Sequence, residues 1–466
     1  MRKLLKTLAF GAMTAAFSVA ASASEITTNV DAADVANFGT EQTVFGADGV
    51  ILTVSEDSTG YSFKTKATDQ TNYISIASGK TLTATPTDAN RTSFIEFTGS
   101  NLYINGGGTF QVNNSNEIYL RAKNLYVDSN TTFNAKNGVS FASGTLHIYG
   151  TWKSATISQG GGTITMYSGS NVEMGNAAFW ANGSKVNIDS GATFTANHIR
   201  FINTVKVANK GYSSLVTING TATIRGTLPT GTGGVSSAAF GDNLKIGATG
   251  VLTLNGVADA CIVKSLDVAG TMSMKQKLYL ADGNTLTLRE GAKILTNGVS
   301  SQFVSVISIA NTFSETGGTG QRPVQLALSN ANVTKADVTV NIFGAQALGG
   351  FEFYKDSKLT INFEEGSSLA VNEFLSIDDY EGDFIINLTG DWSKNNFKIN
   401  DMSEKRINRI TFMHDGVEIV AGKDYELIAD TASGMGYWFN AIPEPSTYAM
   451  VLGGLAIAFA FMRRRR

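Results

Sequence analysis

The chain has 466 residues, 42% of them hydrophobic and only 16% charged, with a formal net charge of −3 and an isoelectric point near 5.8. So sparse and balanced a charge excludes a basic nucleic-acid surface, and the hydrophobic share, alternating with polar residues, excludes a disordered chain. One cysteine, Cys261, cannot form an intramolecular disulfide; within Ala260–Val263 it reads as a small buried hydrophobe rather than a reactive thiol.

Residues 1–23 read as a secretory leader. Arg2, Lys3 and Lys6 precede an apolar stretch from Leu8 to Ala21, and Ala21-Ser22-Ala23 supplies a small-x-small cleavage site before Ser24. We expect the mature chain to begin near Ser24, after export through Sec-type machinery. Removing the three basic residues of this leader, the four terminal arginines and Glu444 leaves 29 basic against 38 acidic residues, a net charge of −9. An acidic body speaks against nucleic acid and against a polybasic grip on anionic polysaccharide.

Residues 24–100 alternate well, as in Tyr73–Ile76 and Phe94–Phe97, yet lack an evident repeat, so they are expected to form an N-terminal β cap. From 101 to 390 a degenerate unit recurs: aliphatic, any residue, aliphatic, a turn with Gly or Asn, then a further apolar residue. Leu102-x-Ile104 leads to Phe110, Leu125-x-Val127 to Phe133, Leu146-x-Ile148 to Trp152, Ile164-x-Met166 to Val172, and Val186-x-Ile188 to Phe194. Val216, Leu252, Leu266, Leu286 and Leu359 begin later copies, and the early starts lie 23, 21, 18 and 22 residues apart. A period near 21 with two short strands per period fits one coil of a parallel β-helix, its corners taking Gly or Asn because the chain there visits positive φ. The expected fold is therefore all-β: a right-handed parallel β-helix with β caps, flanked by a signal peptide and a C-terminal hydrophobic helix. About 14 coils at ~4.8 Å each would make a rod roughly 65 Å long. Gly231–Ser237 and Thr316–Gly320 read as loops bulging from coils.

Residues 391–441 change character. Ile410–Phe412, His414-Asp415-Gly416 and Val417–Ile419 predict a hairpin with Asp-Gly as its tight turn. Tyr425–Leu427 and Tyr437–Phe439 continue as strands of a C-terminal β cap.

The final segment, 442–466, has three parts. Pro443-Glu444-Pro445 resists helix and is extended. Tyr448–Met462 is fifteen residues without a charge, roughly 22 Å as a helix against about 30 Å of hydrocarbon. Arg463, Arg464, Arg465 and Arg466 then hold that end on the cytoplasmic side. This tail resembles the PEP-CTERM sorting signals read by exosortases in Gram-negative envelopes. The resemblance implies a transient stay in the inner membrane, cutting near Pro443–Pro445 by an exosortase-like transpeptidase, and delivery to the cell surface or extracellular matrix, with exopolysaccharide as an associated partner. The body, more loosely, resembles autotransporter-type passenger repeats.

Three roles stay open: a structural or adhesive surface protein, a secreted polysaccharide-active enzyme, and a passive spacer that keeps its tail as a membrane anchor. A glycosidase needs two carboxylates facing one cleft. Asp356, Glu364-Glu365 and the group Asp378, Asp379, Glu381 and Asp383 are the candidates, the last also having the oxygen ligands of a calcium site without a calcium-loop spacing. His147, His198 and His414 lie far apart, with no zinc spacing. No nucleophile elbow or phosphate loop occurs, and Gly106–Gly108 and Gly160–Gly162 read as coil corners. We therefore expect no enzyme, no metal and no cofactor. Tyr103, Tyr126, Tyr149 and Tyr167 sit at outward positions, where they either stack across coils or bind sugar rings.

Overall fold

The computed structural model describes residues 23–85, 93–141, 144–180, 184–197, 199–200, 215–225, 243–254, 265–274, 277–279, 283–296, 322–323, 325–327, 337–352, 358–375, 381–392, 395–399, 408–429 and 437–442. They form a β-solenoid, and the one helical element among them is a single 3-10 turn, Ala32–Asp34. The chain divides into two compact units, residues 1–140 and 141–466.

In the first unit the strands stack in parallel into three strips. One holds Ala23–Ile26, Gln42–Phe45, Ser62–Thr65 and residues 93–97 and 119–122. The second holds Val30–Asp31, Ile51–Val54, Thr71–Ile76 and residues 101–105 and 124–127. The third holds Ser58–Gly60, Thr81–Ala84, Thr109–Val112 and Thr132–Ala135. Each coil thus contributes three strands, where the period had suggested two. The extra strand lies in the stretch between one copy of the repeat and the next.

Residues 24–100 differ from the expectation as well. They are parallel-paired from Ala23 onward, with the same geometry as the later coils. Their corners combine left-handed glycines, Gly49 and Gly79, with closure by side chains. Asp48 accepts from the Thr71 amide at 2.6 Å, Asp57 from the Thr81 amide at 2.8 Å, and Asn72 from the Val50 amide at 3.1 Å. Residues 32–41 alone behave as a cap: Val35 and Phe38 are buried, and Phe38 packs on Phe63 with ring centroids 6.1 Å apart.

Strict alternation sends every second side chain inward. Inside the first unit Phe63, Phe94, Phe110 and Phe133 form an aromatic column with neighbouring centroids 5.5–6.1 Å apart. All are essentially inaccessible to solvent, and such rings each contribute about 1.5–3 kcal/mol relative to exposure.

In the second unit the longest strip runs from Gly144–Ile148 through Gly162–Met166, Lys185–Ile188, Leu215–Ile218, Asn243–Ile246, Ser265–Val268, Asn284–Leu288, Asp337–Ile342, Lys358–Phe363 and Phe384–Leu388 to Ile410–His414. A second strip runs beside it from residues 151–154 and 171–174 through Thr193–Ala196, Thr221–Ile224, Val251–Leu254 and Thr271–Met274 to Lys293–Thr296. The repeat aliphatics are buried throughout. Leu252-x-Leu254 is the one copy read out of phase. It belongs to this second strip, and Leu244-x-Ile246 is the coil's first strand. Both stretches read aliphatic-x-aliphatic before a glycine-containing turn, so sequence alone could not phase them. Trp152 is fully buried, and its indole N–H donates to Ser154 Oγ at 3.0 Å, which satisfies the one polar atom it carries inward.

The parallel stack reaches Ile410–His414, so coils extend past the cap boundary set at 391, and Asn396–Ile399 is likewise parallel-paired. The cap proper begins at the expected hairpin. Asp415 and Gly416 both have positive φ, 48° and 80°, and join Ile410–His414 to Val417–Glu418. Tyr425–Ala429 and Tyr437–Ala441 then pair antiparallel, and Lys398 and Ile399 also pair antiparallel with the latter. Antiparallel strands end the parallel ladder, as an open solenoid edge requires. The loops at 231–237 and 316–320, the leader up to residue 22 and the tail from residue 443 lie outside the described residues. Among the described residues no helix is long and apolar enough to cross a membrane; Tyr448–Met462 is not among them.

The corner glycines serve two different needs. At Gly79 the backbone is left-handed, φ 75°, and open space surrounds the missing Cβ. At Gly220 φ is not left-handed, but a Cβ would overlap the carbonyl oxygens of Asp189 and Ala192 in the preceding coil. Gly79→Asn should therefore cost about 1 kcal/mol or less, because Asn tolerates the left-handed region. Gly220→Asn should cost about 3 kcal/mol or more, because backbone must move. Denaturant midpoints of the two variants check this; equal losses would contradict it.

Candidate functional site

Two parts of the molecule carry the candidate chemistry: the outward faces of the strips and the junction with the tail. On the strips, in-register pairing places like residue on like. Asn124 Nδ2 donates to Asn101 Oδ1 at 2.8 Å, and Asn101 Nδ2 donates to Thr71 Oγ1 at 3.0 Å. In the second unit Asn387, Asn362 and Asn341 form a similar ladder, with amide contacts of 3.2 and 2.9 Å. Such amide ladders reinforce the backbone bonds along the stack. Thr193 and Thr195 stand beside Thr221 and Thr223, which stand beside Val251 and Thr253. These strands carry hydroxyls at nearly every outward position, with Lys153, Glu173 and Lys293 as outward charges elsewhere on the strip.

The tyrosines are outward, as their positions required. Tyr73 and Tyr103 lie 5.2 Å apart at 24°, Tyr103 and Tyr126 4.0 Å apart at 2°. Tyr149 and Tyr167 lie 4.0 Å apart at 4°. Near-parallel stacking at 4.0 Å covers the ring faces turned toward one another. A sugar platform needs an open π face, so the geometry favours cross-coil stacking over carbohydrate binding. His147 joins the second stack: its ring centroid is 5.9 Å from that of Tyr167, and Nδ1 is 2.9 Å from the Tyr167 hydroxyl. Half-burial there pulls the His147 pKa below its ordinary 6.5. At a corner of the first unit, burial instead pushes the Asp128 carboxyl up.

The acidic candidates do not converge. Glu364 and Glu365 are exposed at a corner that closes through the Ser367 amide and Glu364 carbonyl. Asp383 faces Lys358 at 4.0 Å with both side chains largely in solvent, which is worth little. Glu381 is exposed; Asp356, Asp378 and Asp379 lie outside the described residues, as do His198 and Cys261. His414 Nε2 is 3.0 Å from the Gly390 carbonyl and 3.3 Å from Asp415. Among the described residues no group of three or more His, Cys, Asp and Glu is placed to hold a metal.

At the N-terminal end Ala23 and Ser24 belong to the first strand, paired with Gln42 and Thr43. Ser24 Oγ donates to the Ala36 carbonyl at 2.6 Å and to Glu41 at 3.2 Å. Ala21 lies outside the described residues. At the other end the described chain finishes at Ile442, whose amide donates to the Asp424 carbonyl at 2.8 Å. Pro443, Glu444, Pro445 and Arg463–Arg466 follow directly, outside the described residues. Hence a folded cap stands immediately before the Pro-Glu-Pro triplet with almost no intervening stalk.

Comparison with known families finds the PEP-CTERM protein-sorting motif at residues 441–466. It spans the Pro-Glu-Pro triplet, the apolar run and the four arginines, the segment that the sequence had set apart. The motif implies exosortase-dependent export to the bacterial cell surface. No curated protein and no solved structure matches the chain, so the body is read from its own geometry.

Two outcomes follow from the stacks. Tyr103 has a ring on either side, so Tyr103→Ala should cost about 1–3 kcal/mol, with no change in retention on immobilised neutral glucans; loss of retention would revive the sugar reading. The His147 linkage has a definite sign. Its folded pKa is depressed, so the unfolded chain protonates first, and stability falls as pH drops below about 6.5. His147→Phe keeps a ring in the stack and should flatten that fall in melting curves taken at pH 7 and pH 5. An unchanged pH slope would contradict the assignment.

Proposed function

We propose that the chain is a structural protein of the cell surface or extracellular matrix, exported as a precursor and released by processing of its tail. The observation that carries this reading is the sorting motif at 441–466 joined, without a stalk, to a folded all-β solenoid ending at Ile442. The leader, with cleavage after Ala23 and Ala21 at the upstream small position, engages Sec-type machinery. Because Ala23 and Ser24 are strand residues in the folded body, this cut precedes closure of the first coil. Tyr448–Met462 then lodges in the inner membrane of a Gram-negative-type cell, Arg463–Arg466 remain inside, and an exosortase-like transpeptidase cuts near Pro443-Glu444-Pro445.

A structural rather than catalytic role is supported by what the outward positions carry. They repeat Thr, Asn and Tyr, which strengthen the stack, and the described carboxylates are scattered over exposed corners and over outward strand positions such as Glu96, Glu173 and Asp267. Adhesion and association with exopolysaccharide fit such a surface and follow from the motif's setting rather than from a shaped pocket.

Intact-mass analysis of the chain from its native envelope, with and without the exosortase, tests the proposal. A mass ending near residue 443 that is lost without the enzyme is the expected result. A mass that keeps Arg463–Arg466 in both strains would make the tail a permanent anchor and the body a spacer.

A further inference from the structure

The described residues carry three exposed large aliphatic side chains, Val417, Val420 and Ile428, exposed by 69%, 53% and 45%. All three fall within residues 417–428, in the C-terminal cap. Elsewhere on the described strips the outward aliphatics, such as Ile51, Leu215, Val251 and Ile385, are half-buried between neighbouring coils, and the remaining outward positions present hydroxyls, amides and charges. The location is specific. Val420 is bound into a loop whose Asp424 accepts from the Val420 amide through Oδ2 at 2.8 Å and donates its own amide to the Val420 carbonyl at 2.8 Å. The carbonyl of the same Asp424 holds the Ile442 amide. Val420 therefore sits two hydrogen-bonded links from the point where the tail leaves the body.

Covalent reach fixes what that loop faces before processing. Five residues, 443–447, separate Ile442 from the apolar run that starts at Tyr448. Whatever path they take, they span at most about 20 Å. While the run is in a bilayer, Ile442 is held within that distance of the lipid headgroups, and the 417–428 loop is tied to Ile442 through Asp424. Asp415, Glu418 and Glu426 are exposed around it and Lys423 is the one exposed cation in the loop, so the surface has no charge preference for anionic lipid. Its chemistry suits the apolar margin of a zwitterionic interface.

We propose that Val417, Val420 and Ile428 form a docking surface for the phospholipid interface in the unprocessed precursor, seating the cap on the membrane and presenting Pro443-Glu444-Pro445 at a fixed height to the transpeptidase. This rests on the tail being membrane-embedded before cleavage.

The test uses the full precursor in a Cys261→Ala background whose β spectrum is checked, carrying a polarity-sensitive fluorophore on Val420→Cys. A control label sits on Ser190→Cys, at an exposed corner after Lys185–Ile188, eight strands before Ile410–His414 in the longest strip and so roughly 38 Å along the stack. Both are reconstituted with zwitterionic phosphatidylcholine vesicles and quenched with iodide. The expected result is flotation with the vesicles, a blue shift and loss of most quenching at position 420, and no change at 190, independent of salt. Flotation with position 420 quenched as in solution overturns the proposal and leaves the sorting-tail reading intact. Failure to float overturns both. Protection without vesicles that grows with protein concentration assigns the surface to a second copy of the chain and also overturns the proposal.

Discussion

Everything in this molecule depends on parallel strands paired in register from coil to coil. Each coil hands its backbone amides and carbonyls to the next at a spacing of about 4.8 Å, so a residue stands on its structural counterpart. That single constraint explains the aromatic column of Phe63, Phe94, Phe110 and Phe133. It explains the asparagine ladders and the tyrosine stacks outside. It also explains why Gly220 has no Cβ: the neighbouring coil's carbonyls occupy the space. Stability here accumulates by nearest-neighbour increments, with ends that must be closed. Residues 32–41 in the first unit and the antiparallel strands after Asp415-Gly416 in the second do that work.

The repeat was legible because inward positions accept only apolar side chains, which left aliphatic-x-aliphatic pairs at Leu102, Leu125, Leu146, Ile164 and Val186. The hairpin at Asp415-Gly416 was legible because few dipeptides accept two consecutive positive φ angles. The third strand of each coil was missed. Its segments include Phe94-Ile-Glu-Phe97, whose alternation was visible but was assigned to a cap rather than to a coil. The stretch 24–100 was set apart as a cap although Gly49 and Gly79 mark its corners as glycines mark later ones, with Asp48, Asp57 and Asn72 adding side-chain closure. Leu252 was phased wrongly because both strands of its coil read alike. For the candidate site, sequence placed the tyrosines outside but could not show that their faces are spent on one another; only ring separations near 4.0 Å settle that.

The tail and the body answer separate questions. The tail's three parts, in that order, make up a sorting motif, so its meaning lies in sequence. The body's meaning lies in its stack: a regular, self-reinforcing surface of hydroxyls, amides and scattered charges, with no convergent carboxylates among its described residues. A solenoid built this way suits a load-bearing or space-filling part outside the cell, and under the proposed function its stalkless attachment would hold the cap near the membrane until processing.

The register itself is the claim on which the rest stands, and cysteine pairing tests it directly. Gln111 and Asn134 are outward partners on adjacent strands, their side chains hydrogen-bonded at 2.7 Å. In a Cys261→Ala background, Gln111→Cys with Asn134→Cys should cross-link readily under mild oxidation, since neighbouring strands bring Cα atoms within disulfide range. Gln111→Cys with Phe133→Cys, one residue out of register and facing the core, should not. Cross-linking of the displaced pair in preference to the aligned one would contradict the stacked-coil account.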